Sequence, residues 1–305
     1  MSRKIDLHVH TNISDGLLTP KEVIDEATKN NVSILAIADH DTVDAYTNEL
    51  YDYAKEKNII LINAVEISTK SDKVGIHILG YNFDINNEEL KQKLYLNRNS
   101  RHVYLHDVAT KLESLGYEVN TNELDKIDVV TKAHIARDII ANPKNEEILF
   151  KEFGHVPGMG EFIETIMNEG CVAYVKKETL TPKDAVELIK NAGGVAVLAH
   201  PVAYKYEDNL TEEEITKLAT EIGVDGLEAY HLYTNKNDER IDENDIWVKI
   251  AKENNLITTA GSDFHKRDSK RPCLGEVADV ELAQDIIDKI IENLCINKGE
   301  MKKEL

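Results

Sequence analysis

Histidines and acids recur in this chain where apolar runs stop. His8 and His10 close the run that begins at Lys4, Asp39, His40 and Asp41 follow Ser33 to Ala38, and Glu66 falls near the end of Ile59 to Ile67. His77 lies within Lys73 to Phe83, His200 directly follows Gly194 to Ala199, and Asp263 and His265 follow Leu256 to Ala260. A lone buried histidine is usually a hydrogen-bonded core residue. Six imidazoles at one end of separate segments are a different case: protonated they repel one another, and neutral each needs a partner. A cluster of divalent cations satisfies all of them. His8 and His10 strengthen the argument, because a spacing of two on a strand aims both rings at one point. Mixed imidazole and carboxylate ligation suits Mn, Fe or Zn, and no cysteine stands among the candidate ligands. Such a site acidifies water and stabilises charge on phosphoryl oxygens, which makes hydrolysis of a phosphate ester the leading chemistry.

The elements that must position these groups follow an alternating grammar. Lys4 to His10 reads as a strand with Ile5, Leu7 and Val9 on one face and Asp6, His8 and His10 on the other. Thr19-Pro20-Lys21-Glu22 supplies an N-cap, a first-turn proline and a capping-box acid for a helix that ends near Asn30. Strand Ser33 to Ala38, helix Asp44 to Lys57 and strand Ile59 to Ile67 repeat the pattern. After Gly170 it resumes with strand Val172 to Val175, a helix opened by Thr181-Pro182-Lys183-Asp184, and strand Gly194 to Ala199. Helix Thr211 to Ile222, strand Gly223 to Tyr230, helix Glu239 to Asn254 and strand Leu256 to Ala260 complete it. This predicts a parallel α/β architecture, most simply a barrel of TIM type or a distorted relative, with the acids and imidazoles at one end. Residues 1–84 and 171–305 form the barrel in this reading. Residues 85–170, polar and helical in pattern, form an inserted helical subdomain over the same end.

The chain has 305 residues and a formal charge of −20, with 56 Asp and Glu against 36 Lys and Arg. A surplus of that size disfavours long duplex nucleic acid and anionic membrane surfaces as partners, because it repels polyphosphate at long range. A small anion needs local help, which bound cations supply. The first residues run from Arg3 and Lys4 straight into Asp6 and His8 without an apolar signal core, no run reaches the ~18 apolar residues of a membrane span, and the three cysteines lack metal-ligand spacing. A reduced, cytoplasmic setting is the expectation.

Asp6-Leu7-His8-Val9-His10-Thr11, Ser14-Asp15-Gly16, Ala38-Asp39-His40-Asp41, GGVAVLAHP at 193–201 and Gly261-Ser262-Asp263-Phe264-His265 together resemble the PHP superfamily, named for polymerase and histidinol phosphatase. The likeness covers both barrel portions in order and implies the family's α/β fold, a distorted TIM-like (β/α)7 barrel with an inserted helical subdomain. Thr131-Lys132-Ala133-His134-Ile135-Ala136-Arg137 is similar to the group within it that acts on nucleoside 3′,5′-bisphosphates or on 5′ ends of short RNA. This resemblance implies three divalent metal ions. His8, His10, Glu66 and Asp263 surround one, Glu66 bridges to a second with His77 and His200, and Asp15, His40 and His265 hold the third. Asp263, His265 and His200 are the implied catalytic set.

The resemblance further implies a small phosphorylated substrate, a nucleotide or short RNA end, held by Arg101, His134 and Arg137. His134 and Arg137, at i and i+3, share one side of a helix that Thr131 can cap. Lys132 stands where the group commonly carries Arg, which replaces a bidentate phosphate contact with a point charge. Asp6 is expected to orient an imidazole from behind or to face water, and His231, at the end of its strand, to support a ligand or touch substrate. His102, His106 and His155 are expected on the surface, and Cys273 as an inert small hydrophobe. Alternatives are a phosphatase for another small phosphomonoester such as histidinol phosphate, and a non-catalytic metal-binding module. The sequence leaves the oligomeric state open.

Overall fold

A computed structural model describes residues 3–71, 74–127, 130–176, 179–235, 237–267 and 270–295, without the side chains of Arg101 and Cys295. The chain forms two compact units, one of residues 1–95 with 180–305 and one of residues 96–179.

Among the described residues, the first unit is built on a sheet of seven strands: β1 (Lys4–Val9), β2 (Val32–Ile37), β3 (Ile60–Lys70), β4 (Gly75–Tyr81), β5 (Val195–Leu198), β6 (Gly226–Tyr230) and β9 (Ile257–Ala260), hydrogen-bonded in that order. All neighbours pair in parallel except β4, which runs antiparallel to both β3 and β5. Beyond β9 the chain returns to β1, where His10 N donates to Phe264 O at 2.9 Å. The sheet is thus a mostly parallel, strongly curved α/β barrel wall. Helices α1 (Pro20–Lys29), α2 (Asn48–Glu56), α9 (Pro182–Asn191), α11 (Glu212–Ile222) and α12 (Asn244–Glu253) lie between its strands in sequence, with short α10 (Pro201–Glu207) after β5 and α13 (Gln284–Cys295) at the end. The helices begin where capping chemistry puts them: Thr19, Thr181 and Thr211 each accept from the backbone N–H three residues on, and Glu22, Asp184 and Glu214 return the bond.

Two apolar layers hold the wall. Val65, Ile67, Ile76 and Leu198 pack with Ile189, Ile215 and Trp247 of the helices. Ile5, Leu7, Ile34, Ala36, Ile62, Ala64, Leu79 and Val197 form a second cluster, together with Ile287, Ile290 and Leu294 of α13. Parallel strands β2 and β3 put small apolar residues of this cluster ahead of the functional ones, Ala36 and Ala38 before His40 and Ala64 before Glu66. That order puts the core toward the strand starts and the functional groups toward their ends.

Several expectations are corrected. The barrel is not wholly parallel: local sequence carries no signal for pairing direction, and β4 follows β3 by a tight reversal. The reversal is what brings His77 to the site, because an early residue of an antiparallel strand lies beside late residues of its neighbours; His77 pairs with Ser68 and its carbonyl accepts from Ala199 N at 3.1 Å. The strand expected at Val172 to Val175 is absent. That segment lies in the second unit, Ala173 N bonds to Ile166 O at 2.9 Å, and Ala173 joins a helical core. The helix expected from Glu239 begins at Asn244, because Arg240–Ile241 (β8) pairs instead with Tyr233–Thr234 (β7).

The second unit is helical. α3 (Glu88–Arg98) leads into it, followed by α4 (Ser100–Ser114), α5 (Thr121–Leu124), α6 (Lys132–Ala141), α7 (Glu146–Phe153) and α8 (Met159–Phe162). Its own core gathers Leu105, Val108, Leu112, Ile135, Ile139, Leu149 and Phe162, all nearly inaccessible. Among the described residues, no helix of either unit is long and apolar enough to cross a membrane.

Candidate metal centre

Glu66, near the end of β3, is almost fully buried and stands at the centre of the histidines. Its Oε2 lies 3.2 Å from His8 Nε2, 3.1 Å from His10 Nε2 and 3.3 Å from His40 Nδ1. Its Oε1 lies 2.9 Å from His77 Nδ1 and 3.2 Å from His200 Nε2. Asp263 Oδ1 reaches His8 Nε2 at 3.4 Å and His10 Nε2 at 3.0 Å. Asp15 contacts a further set, with Oδ1 3.3 Å from His10 Nδ1 and Oδ2 3.6 and 3.3 Å from Nε2 of His40 and His265. All nine positions that the resemblance implied as metal ligands therefore converge. Their donor atoms fall into three groups with metal-ligand spacing: His8, His10, Glu66 and Asp263; His10, Asp15, His40 and His265; His40, Glu66 and His77, with His200 Nε2 3.3 Å from His77 Nδ1.

These residues fit divalent cations on their own geometry. Nε2 of His8 and of His10 are 3.1 Å apart and face the same two carboxylate oxygens, an arrangement in which lone pairs crowd one point. Nδ1 of His200 is buried without a hydrogen-bond partner among the described residues. Burial alone would lower the His8 and His10 imidazoles, yet Glu228, Glu66 and Asp263 around His8, and Asp15, Asp263 and Glu66 around His10, hold both well above the usual histidine range. Burial raises the Glu66 carboxyl, but His40, His8 and His77 outweigh it and hold it well below the carboxylate range. His40, desolvated and set near His10 and His77, is pushed down to about 4 although Glu66 and Asp15 oppose the shift. The carboxylates favour the protonated forms of His8 and His10 while the surroundings of His40 favour its neutral ring, and divalent cations would take the place of bound protons.

Backbone strain helps to aim the ligands. Asp263 and His200, each just past a strand, have φ of 55° and 27°, a region that non-glycine residues rarely occupy. Behind them sits Glu228 of β6, completely buried, with Oε1 3.0 Å from His8 Nδ1 and Oε2 accepting from His200 N at 2.8 Å. It fixes which His8 nitrogen faces the centre. Sequence reading passed over this residue, although an acid in the middle of an otherwise apolar strand was its signal. Asp39 was likewise not assigned a role. It accepts from Thr11 N, Thr11 Oγ1 and Ser14 Oγ at 2.7, 2.7 and 2.6 Å, and so shapes the turn that delivers Asp15.

Asp6 requires correction. It faces neither water nor an imidazole: fully buried, it accepts from Ser262 N at 3.0 Å, Ser262 Oγ at 2.6 Å and Gly275 N at 2.7 Å. The register of β1 with β2 is irregular between Asp6 and Val9, which breaks the alternation that aligned it with the two histidines. Its work is to tether the loop carrying Asp263. His231 is buried, donates Nδ1–H to Gly261 O at 2.9 Å, and lines the open cleft with the ligands. Burial lowers its pKa, so its ring is neutral and Nε2 carries a lone pair.

The three residues expected to hold the substrate, Arg101, His134 and Arg137, belong to the second unit. Thr131 caps α6 as expected and His134 Nδ1 accepts from Thr131 N at 3.2 Å, so one of that ring's nitrogens serves the cap. Arg137 is exposed on α6, Lys132 donates to Asn168 Oδ1 at 3.0 Å, and the side chain of Arg101 lies outside the described residues. His102 and His106 share Asp125, and His155 pairs with Glu161, all on the surface. Cys273 is exposed rather than packed as a small hydrophobe.

A curved, mostly parallel sheet with a buried carboxylate and imidazole cluster at its strand ends defines a metal-dependent hydrolase of phosphate esters. The chain belongs to the PHP domain family, whose pattern matches residues 6–257. A 5′-3′ exoribonuclease of Haemophilus influenzae is 33% identical over 301 residues, covering 95% of this chain and 98% of that protein. A 3′,5′-nucleoside bisphosphate phosphatase of Chromobacterium violaceum is 29% identical over 265 residues, 86% of this chain and 87% of its own length. Among solved structures, an amidohydrolase from Chromobacterium violaceum with bound sulfate and no metal superposes with a TM-score of 0.59 at 27% identity, covering 91% and 92% of the two chains.

Proposed function

We propose that this protein removes a terminal phosphate from small nucleotides, chiefly nucleoside 3′,5′-bisphosphates, and trims short RNA from its 5′ end. The observation that carries the reading is the convergence of six imidazoles and three carboxylates on the cleft, with Glu66 touching five of the rings. The similarity of this chain along nearly its full length to an exoribonuclease, and to a bisphosphate phosphatase, supports the substrate class.

In this reading the three donor groups hold three divalent ions, Mn, Fe or Zn, with His8, His10, Glu66 and Asp263 around the first, Glu66, His77 and His200 around the second, and Asp15, His40 and His265 around the third. Such ions, when bound, neutralise phosphoryl charge and acidify water for attack at phosphorus. Glu228 holds the His8 ring in orientation, and Asp6 keeps Asp263 in place. Asp263, His265 and His200 lie next to the reacting phosphate. Arg101, His134 and Arg137 of the helical unit are read as the side chains that hold the anion. The surplus of surface carboxylates leaves the substrate small or held by one end, and the workplace is the cytoplasm.

The test is phosphate release from adenosine 3′,5′-bisphosphate by Mn²⁺-loaded protein, with a labelled 5′-phosphorylated oligoribonucleotide run in parallel. Phosphate release and stepwise mononucleotide release support the reading. Turnover of histidinol phosphate with neither of these contradicts it.

A further inference from the structure

The cleft extends past the ligands. It encloses about 560 Å³, within the range of about 300–1,000 Å³ typical of small-molecule sites. Beyond the metal ligands its wall is made by Leu17, Tyr233, Thr234, Lys266, Arg271 and Pro272, all of the first unit. Leu17 is 69% exposed, an apolar surface turned to solvent at the edge of a polar site.

The cations of the loop after His265 divide into two kinds. Arg267 donates Nε–H to Glu26 at 3.0 Å, and Lys270 pairs with Asp238. Lys266 and Arg271, the two that line the cleft, make no hydrogen bond or ion pair among the described residues. In a chain of charge −20 carboxylates are plentiful, and the rim acid Glu207 accepts instead from the Tyr233 hydroxyl at 2.9 Å. Two cations facing an acid-rich cleft and left uncommitted are available to an incoming anion.

We infer that Lys266 and Arg271 form an anion subsite on the barrel rim that takes the second phosphate of a doubly phosphorylated nucleotide, the group that does not react. The inference rests on the substrate class proposed above. The reacting phosphate belongs over Glu66 and its histidines, and the nucleoside lies against Leu17 and Tyr233. Arg271 suits the far phosphate because its planar fork bonds two oxygens at once, and Lys266 adds a point charge. Binding that holds ground and transition states equally appears in KM rather than in kcat.

The experiment uses Mn²⁺-loaded wild type, Arg271→Ala, Lys266→Ala and Arg271→Lys. Both side chains are exposed, so the fold tolerates their loss. Two quantities are read: KM and kcat for p-nitrophenyl phosphate, which has one phosphate, and the inhibition constant of adenosine 3′,5′-bisphosphate against it. Each alanine variant is expected to weaken the bisphosphate about fivefold to tenfold, the worth of a partly solvated charge-assisted contact. Kinetics on p-nitrophenyl phosphate stay within about twofold, and Arg271→Lys retains part of the affinity. An unchanged inhibition constant, or an equal loss on both compounds, overturns the subsite. If wild type hydrolyses the aryl phosphate and not the bisphosphate, the proposed substrate fails, while the inhibition constants still decide the subsite.

Discussion

Oε1 of Glu228 lies 3.0 Å from Nδ1 of His8, and neither side chain is exposed to solvent. A buried carboxylate behind an imidazole fixes the tautomer, turns Nε2 toward the centre and raises its basicity. Glu228→Ala is therefore expected to lower metal affinity about tenfold to a hundredfold, with activity following. Glu228→Gln, which still offers Nδ1 an oxygen, retains more of both. Metal retained after dialysis and kcat on the same samples check this. Full metal retention in the alanine variant would mean that His8 needs no such support.

Gly261 precedes Asp263 because nothing larger fits. A Cβ there would run into Glu228 Oε1 and the Cβ of His8. Gly261→Ala should cost about 1–3 kcal/mol of stability, as overpacking does, and should release metal as Glu228 and His8 are pushed apart. Gly158→Ala, where a Cβ meets nothing within 4 Å, is the control and should leave the denaturant midpoint unchanged.

Asp6 tests the tether. Asp6→Ala leaves the N–H groups of Ser262 and Gly275 buried without an acceptor, a loss of about 2–4 kcal/mol. Burial raises the Asp6 carboxyl to about 6, against the lowering effect of its hydrogen bonds from Ser262, Gly275 and His8. An acid with a raised folded pKa adds stability at low pH and loses it as pH rises through the folded value. The stability of wild type relative to Asp6→Asn should accordingly decline between pH 4 and about 6. A difference that is flat across that window contradicts the burial of a titrating Asp6.

Metal binding should release protons. In the metal-free protein the carboxylates around His8 and His10 outweigh burial and hold both imidazoles well above the ordinary histidine range, which favours their protonated forms. Ligation requires neutral imidazole, and apparent affinity for Mn²⁺ should rise with pH. Titration calorimetry in buffers of different ionisation enthalpy reads the released protons directly. Heats that do not depend on the buffer would contradict the raised His8 and His10 imidazoles.

Most of this architecture is legible in the residues. Thr19, Thr181 and Thr211 announce their helices because capping chemistry is local. The site is legible because its ligands interrupt apolar strands at their ends, and Glu66, His200 and Asp263 meet although 134 residues separate Glu66 from His200. What escaped depends on pairing across the chain. The direction of β4 is a property of its neighbours, and Asp6 left the face of His8 and His10 through an irregular register. Val172 to Val175 had strand-like composition and no strand to pair with, so Ala173 was absorbed into the helical core. Glu228 was hidden in a strand otherwise read for its apolar content.

The central claim is that these nine side chains form one metal centre that hydrolyses phosphate esters. The direct measurement is to strip the protein with a chelator, restore Mn²⁺ in increments, and follow bound metal by elemental analysis and phosphate release from adenosine 3′,5′-bisphosphate in each sample. Turnover should vanish on stripping, return as bound metal rises, and be nearly absent in Asp263→Asn at every increment. Turnover that survives complete removal of metal, or that is undiminished in Asp263→Asn, would contradict the account.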